Sequence, residues 1–196
     1  MSNYTLPTCF EIEEELFHIH NDGDYRTVLS CFNILYDNDL TEKEKIYACL
    51  IVFYEELDDL DDIMSNIQYI QELIKKMFWF FDCGNTYDDK RHKPRLIDWD
   101  KDEMLLTSAI NNVAGREIRT EQVHWWTFIG YYMAIGDCAM SNIVAIRNKI
   151  ATGEKLEKHE KKFKMENPQY FDIDYRTKED KDTDDWLNSL WEGGNR

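Results

Sequence analysis

The stretch TEQVHWWTFIGYYMAIG, residues 120–136, decides the fold. Thr120 is a suitable N-cap, and polar residues follow it in the first turn, where unpaired N–H groups need acceptors. From Val123 onward almost every residue is apolar, and a helix that is apolar on all sides is usually buried with neighbours on several faces. The stretch is too short and too aromatic to read as a membrane span. It therefore predicts a central helix surrounded by other helices.

The composition limits the class of protein. The chain has 196 residues, of which 43% are hydrophobic, enough for one domain with a real core. Three prolines and eight glycines disfavour a turn-rich β architecture. The net charge of -16 disfavours binding to nucleic acids and to anionic membranes, and leaves basic protein surfaces as partners. Five widely spaced cysteines without a CxxC pair indicate free thiols in a reducing compartment.

Outside the central stretch, hydrophobic periodicity predicts the remaining elements. The segment 9–19 alternates weakly and predicts a small β-hairpin, although its Glu-rich middle could equally open a helix. Helical patterns cover roughly 25–37, where Asp24 can act as the cap, and 41–54, where Thr41 and Glu44 form a capping box. The second of these has an apolar stripe at Ile46, Cys49, Leu50 and Phe53. Further patterns cover 100–115, ending at Gly115, a segment that is capped by Asp137 or Ser141 and ends at Gly153, and 154–165, while another begins within 55–62 and ends near Gly84. The fold expected is all-α, a single-domain bundle of six to seven helices over residues 1–171, with a possible small N-terminal hairpin. Residues 172–196 are expected to form a flexible acidic tail.

Two apolar patterns are candidates for binding a partner. One repeats at steps of three and four and reads as a heptad seam: Leu60, Ile63, Ile67, Ile70, Ile74, Met77 and Phe81. The seam is either the inward face of a bundle helix, which is the commoner use, or in part a receptor for a partner helix, at Ile63, Ile67, Ile70 and Ile74. The other pattern lies in the tail, where Trp186, Leu187, Leu190 and Trp191 would share one helical face. These residues either dock back on the body or meet a partner, and the sequence favours neither.

A search for catalytic and metal-binding motifs finds no Gly-rich phosphate loop, no GxSxG and no HExxH. His18 and His20 form an HxH pair without a nearby third ligand, so surface residues are the simpler interpretation. His124 is a conceivable general base, but a lone histidine on a core helix is more often structural. The acidic run 55–62 lacks the ligand pattern of a calcium loop and suits a helix start. We predict no catalytic, cofactor-binding or metal-binding residues, and a structural hub at His124, Trp125, Trp126 and Phe128.

Four short motifs together carry a family resemblance. In order along the chain they are DYR at 24–26, FFDCG at 80–84, HWWTF at 124–128 and IR at 146–147. Their pattern resembles the bacteriophage gene-product-fifteen family, and the similarity runs from about Phe10 to Arg147. Members of that family belong to the tail morphogenesis block of long-tailed phages and prophages of Gram-positive bacteria. They lie near the tape measure gene and look like tail assembly chaperones.

The resemblance implies a non-enzymatic tail assembly chaperone that binds the tape measure protein in the host cytoplasm. Its partner would be that protein or another tail component, with self-association left open and no nucleic acid, membrane or cofactor involved. The alternative is an acidic DNA mimic or host-inhibiting phage protein, suggested by the net charge. A mimic needs carboxylates spread along one face, whereas the acids here cluster at 11–15, 55–62 and 172–185.

Overall fold

The computed structural model describes residues 5–57, 67–85 and 94–173, and within them it confirms the predicted all-α helical bundle with a small N-terminal hairpin. The strands are β1 (Cys9–Ile12) and β2 (Glu15–His18). The described helices are α1 (Tyr25–Leu35), α2 (Glu42–Phe53), α3 (Ile67–Phe81), α4 (Glu103–Ala114), α5 (Trp125–Met133), α6 (Ala139–Ala151) and α7 (Lys158–Glu166). No helix among the described residues is long and apolar enough to span a membrane.

The described residues divide into two compact units. The first unit contains residues 5–57, 67–85 and 122–129, and the second contains residues 94–121 and 130–173. The predicted acidic tail, beyond Ile173, lies outside the described residues. The predicted division into 1–171 and 172–196 therefore stays a prediction.

In the first unit the hairpin forms because its loop and its side-chain alternation agree. Glu13 and Glu14 occupy the two-residue loop with φ of 50° and 72°, the left-handed conformation that suits the twist of a tight hairpin. Phe10 and Phe17 face each other across the strands, and both are buried. The strand interpretation of 9–19 is thus confirmed over the helical one.

The first two helices start at the residues that the sequence indicates. The Asp24 carboxylate accepts a hydrogen bond from the Arg26 N–H and caps α1. Thr41 and Glu44 form the predicted capping box at the start of α2. The expected apolar stripe of α2 is fully buried: Ile46, Cys49, Leu50 and Phe53.

Helix α3 supplies the buried wall against which the first unit is built. Its fully buried side chains include Leu73, Met77 and Phe80, and the Tyr54 hydroxyl donates to the Leu73 carbonyl at 2.8 Å. The helix ends as the sequence predicts, next to Gly84. Cys83 takes the left-handed C′ position with φ of 54°, and the Gly84 N–H bonds to the Trp79 carbonyl five residues back in a Schellman motif.

The prediction for the start of the central helix is wrong. Thr120 belongs to a 3-10 turn, Ile118–Thr120, and α5 begins only at Trp125. Before that residue the chain is extended, because His124 forms an antiparallel bridge with Asp24. The expectation that α5 is covered on all sides is wrong as well. Its buried residues are Trp125 and Phe128, whereas Met133 is 79% exposed.

The second unit has its own core. Ile143, Ile146 and Phe171 form its buried centre, with Leu105, Ile150, Leu156, Phe163 and Tyr170 packed around it. The prediction that Asp137 or Ser141 caps α6 is wrong, because the N-cap is Cys138, which forms a reciprocal box with Ser141 at the third helical position. Helix α4 ends at Gly115, which takes a left-handed φ of 68°, as the sequence predicts.

Candidate functional site

Three of the four family-like motifs meet in the first unit, and we call their meeting point the motif cluster. It consists of Gly23 and Asp24 before α1, Phe80, Phe81 and Gly84 at the end of α3, and His124, Trp125 and Trp126 at the start of α5. The hydrogen bonds and ring contacts between these three segments join residues that are distant in the chain, so the cluster fixes how the segments meet.

Asp24 is the hydrogen-bonding centre of the cluster. Its carboxylate accepts from the Val123 N–H at 2.9 Å and from the Arg26 N–H at 3.0 Å. The Arg26 guanidinium adds two bonds, from Nε at 2.7 Å and from a terminal nitrogen at 3.0 Å. Burial alone would raise the pKa of Asp24, but the hydrogen bonds from Arg26 and Val123 outweigh it and lower this pKa. The ionised carboxylate therefore links the start of α1 to the strand-like segment before α5.

Both ring nitrogens of His124 are engaged. Its Nδ1 accepts the Trp126 N–H at 3.1 Å and so caps the first turn of α5. Its Nε2 lies 3.0 Å from the Pro7 carbonyl, which assigns the proton to that nitrogen. Burial lowers the pKa of His124, against the opposing effect of the Pro7 carbonyl and nearby carboxylates, so the neutral ring is favoured. This geometry fits a structural role for His124 better than proton transfer.

The paired tryptophans cap the end of α3. The Trp125 indole N–H donates to the Phe81 carbonyl, and the Trp126 indole N–H donates to the Phe80 carbonyl, each at 2.9 Å. The last carbonyls of a helix have no partner inside the helix and need donors from elsewhere. Phe128 extends the same packing, since its ring stacks on Tyr25 with centroids 4.5 Å apart. All four residues of the predicted hub thus lie together in the first unit.

Close contact between backbone and rings explains the two glycines of the cluster. A Cβ at Gly23 would lie 2.6 Å from the Phe80 ring and 3.1 Å from the His124 ring, and Gly23 has a φ of +79°. A Cβ at Gly84 would lie 3.0 Å from the Trp126 ring, with φ of +77°. Both positions therefore combine a left-handed backbone with tight packing, and only glycine satisfies both conditions without strain.

The fourth motif lies in the second unit, where Arg147 is fully buried. Its guanidinium forms a bidentate pair with Asp102, in which the bond from the second terminal nitrogen is 2.9 Å. It also donates to the carbonyls of Leu96 and Tyr170, at 2.9 Å and 2.8 Å. One side chain on α6 thereby fastens two irregular segments. Sequence analysis missed Asp102, because that residue reads as part of an ordinary acidic start to α4.

The residues predicted to bind a partner lie in different settings. Ile70 and Ile74 on α3 are 8% and 1% exposed. Ile67 begins the described part of α3. Ile63 lies outside the described residues, as do Trp186, Leu187, Leu190 and Trp191. The chain's own core covers Ile70 and Ile74, while the partner-binding role of the set stays a prediction.

The two remaining candidates from the sequence are also placed. The His18 side chain forms a hydrogen-bonded ion pair with Glu56. The hydrogen bond to Glu56 is the main reason that the pKa of His18 is raised. His20 begins a 3-10 turn, His20–Gly23. Within the described ranges no three or more metal-ligating side chains lie close enough together to hold an ion.

The fold is all-α, and the residues of the motif cluster join the start of α1, the end of α3 and the start of α5. A comparison with protein-family models gives its family: residues 3–172 match the model of the bacteriophage Gp15 protein, and the chain belongs to that family. It is a phage protein. Comparisons with curated proteins and with solved structures found no match.

Proposed function

We propose that this protein is a non-enzymatic tail assembly chaperone that binds the tape measure protein in the host cytoplasm. The observation that carries the proposal is the family match over residues 3–172, because the family resemblance implies tail assembly. The motif cluster supports a non-enzymatic role, since the polar groups of His124 and Asp24 are used in internal hydrogen bonds.

The described surface suits the binding of varied apolar segments. Three methionines of the second unit are almost fully exposed: Met104 at 80%, Met133 at 79% and Met165 at 81%. Methionine side chains are unbranched and polarizable, and they adapt to partners of different shape. A tape measure protein is a long, largely helical chain with exposed apolar stripes before the tail tube closes around it. Such a client needs adaptable apolar contacts rather than one rigid pocket.

The charge of the chain supports the same proposal. A net charge of -16 keeps copies apart in solution and attracts basic stretches of a client. Binding of that kind weakens with salt, because screening shortens the range of the interaction to about 8 Å at physiological ionic strength. The rate of association with the client is therefore expected to be higher at low salt than at high salt.

The test is co-expression with the tape measure protein of the same genome. The expected result is a client that becomes soluble and full length and that co-purifies with this chain. An unrelated long helical protein serves as the control client and should gain nothing. A client that is equally soluble without this chain, with no complex recovered, would refute the proposal.

A matched pair of surface variants locates the contact. The triple variant M104S, M133S, M165S removes the exposed methionines, and L6S, L16S, I51S removes three exposed aliphatic residues of the first unit. Only the methionine variant should reduce client recovery. Equal recovery with both variants would show that the methionines do not contribute.

A further inference from the structure

Strand β1 has an outer edge whose backbone groups are open. Hydrogen-bonded pairs alternate along an antiparallel ladder, starting next to the two-residue loop, so the N–H and carbonyl groups of Cys9 and Glu11 point away from β2. The same alternation turns the backbone of His18 away from β1, where its N–H donates to the Glu56 carboxylate and its carbonyl accepts from the Glu55 N–H. Within the described ranges, no hydrogen bond reaches the outward groups of Cys9 and Glu11. The outer edge of β1 can therefore bond to another extended chain.

A mostly apolar groove, which we call the edge groove, lies beside this edge. Its volume is 310 Å³, and β1 and α3 line it with Phe10, Glu11, Lys75, Lys76 and Trp79. The Phe10 and Trp79 rings meet edge to face with centroids 5.9 Å apart. Small-molecule sites begin at about 300 Å³, so the edge groove suits one large side chain better than a cofactor. An open strand edge with a side-chain pocket beside it is the arrangement in which proteins bind an extended peptide as an added strand.

The charges of the hairpin favour a basic occupant. Glu11, Glu13 and Glu14 are exposed, and none of them forms an ion pair with another described residue. On the helix side of the edge groove, Lys75 already pairs with a glutamate of α3, while the ammonium group of Lys76 lies 5.9 Å from the centroid of the Phe10 ring. Three carboxylates thus stand against one uncompensated ammonium group. Like charges on neighbouring strands repel, which disfavours a second copy of this edge as the occupant.

We propose that β1 binds an extended segment of a partner protein as an additional strand. The partner residue opposite Glu11 bonds to its outward N–H and carbonyl groups and carries a basic side chain. The residues on either side of it point to the other face of the sheet, where a large apolar side chain enters the edge groove beside Phe10 and Trp79. The segment therefore alternates basic and apolar residues. This recognition does not depend on the proposed chaperone function.

Binding of defined peptides to the full chain tests the proposal. The probe is a synthetic peptide in which lysines alternate with valines and a central tryptophan. The control peptide has the same composition and charge, but its lysines stand in adjacent pairs, so it cannot place all of them on one face of a strand. Fluorescence anisotropy at physiological ionic strength should give a Kd at least about tenfold lower for the alternating peptide, and alanine in place of its tryptophan should remove about that factor. Equal affinity of the two peptides would overturn the proposal.

A pair of proline variants locates the binding edge. Glu11→Pro removes an N–H that the hairpin itself does not use, and it should raise the Kd of the alternating peptide about tenfold. Leu16 lies opposite Glu11 and directs its N–H to the other edge of the hairpin, so Leu16→Pro is the matched control and should leave the Kd unchanged.

Hydrogen–deuterium exchange of the unaltered chain provides a second measurement that does not rely on either variant. Saturation with the alternating peptide should slow exchange of the Cys9 and Glu11 amides about tenfold, because bound amides are shielded from water, while exchange in α4 stays the same. Unchanged exchange at Cys9 and Glu11 in the peptide complex would overturn the proposal. An equal rise of the Kd in both proline variants would overturn it as well, because the peptide would then not bind through the β1 edge.

Discussion

Replacing Gly23 with alanine tests whether the motif cluster depends on close packing. Two costs add at this position. An L-residue with a positive φ of +79° loses about 1–2 kcal/mol relative to glycine. The new Cβ would also lie 2.6 Å from Phe80 Cζ, and overpacking of a filled core costs about 1–3 kcal/mol. Phe80 is fully buried, so its ring has little room to move.

The matched control is Gly115→Ala. Gly115 has a similar φ of +68°, but nothing lies within 4 Å of a Cβ added there. The Gly115→Ala variant should therefore lose only the free energy that a positive φ costs an L-residue, about 1–2 kcal/mol. The Gly23→Ala variant should lose about 2–5 kcal/mol of the free energy of unfolding, the sum of the backbone and packing terms. The difference between the two variants isolates the contact with Phe80 and His124.

Because the two glycines lie in different units, the assay must report on each unit separately. Native-state hydrogen exchange of the slowest amides in α1 and in α4 gives the free energy of opening for each unit. A double variant, Gly23→Ala with Phe80→Leu, removes the clashing atom and should lose less than the sum of the single losses. Equal losses for Gly23→Ala and Gly115→Ala would refute the packing argument.

Two further predictions concern charged pairs. Arg147→Met should lower the free energy of unfolding by about 3–5 kcal/mol in a denaturant titration, because it leaves the Asp102 carboxylate buried without its partner. Lys162→Met, which breaks an exposed pair, should produce no resolvable change, and a similar loss in both variants would contradict this reasoning. The hydrogen bond to Glu56 raises the pKa of His18, so the stability from this pair is present below the ordinary pKa of 6.5 and is lost as pH rises through the raised value. An NMR titration should place the midpoint of His18 above 6.5, and a midpoint that Glu56→Gln leaves unchanged would exclude the pair as the cause.

The geometry of the motif cluster gives the family signature a structural meaning. The paired indoles supply donors to the final carbonyls of α3, and Asp24 supplies an acceptor to the segment before α5. A tryptophan is suited to this task because it combines a large apolar surface with one N–H donor. These motif residues therefore join the helices of the first unit.

Local features of the chain were sufficient to predict most of the elements. The capping box at Thr41, the acidic cap at Asp24 and the glycine stops at Gly84 and Gly115 act within a few residues of the helices they limit, so the sequence shows them directly. The hairpin at 9–19 was predicted by its alternating side chains. In each case both partners of the interaction lie within one short window.

The start of α5 and the Arg147–Asp102 pair depend on residues that are distant in the chain. Thr120 looked like the start of α5, but the bridge between Asp24 and His124 keeps the preceding segment extended, and that bridge joins residues about a hundred positions apart. No local pattern in the sequence marks Asp102 as the partner of Arg147, and the fold places the two side chains together. A sequence reveals which groups need a hydrogen-bond partner, such as the last carbonyls of a helix. Only the tertiary structure decides which distant group satisfies that need, because the choice depends on where the packed helices bring the chain together.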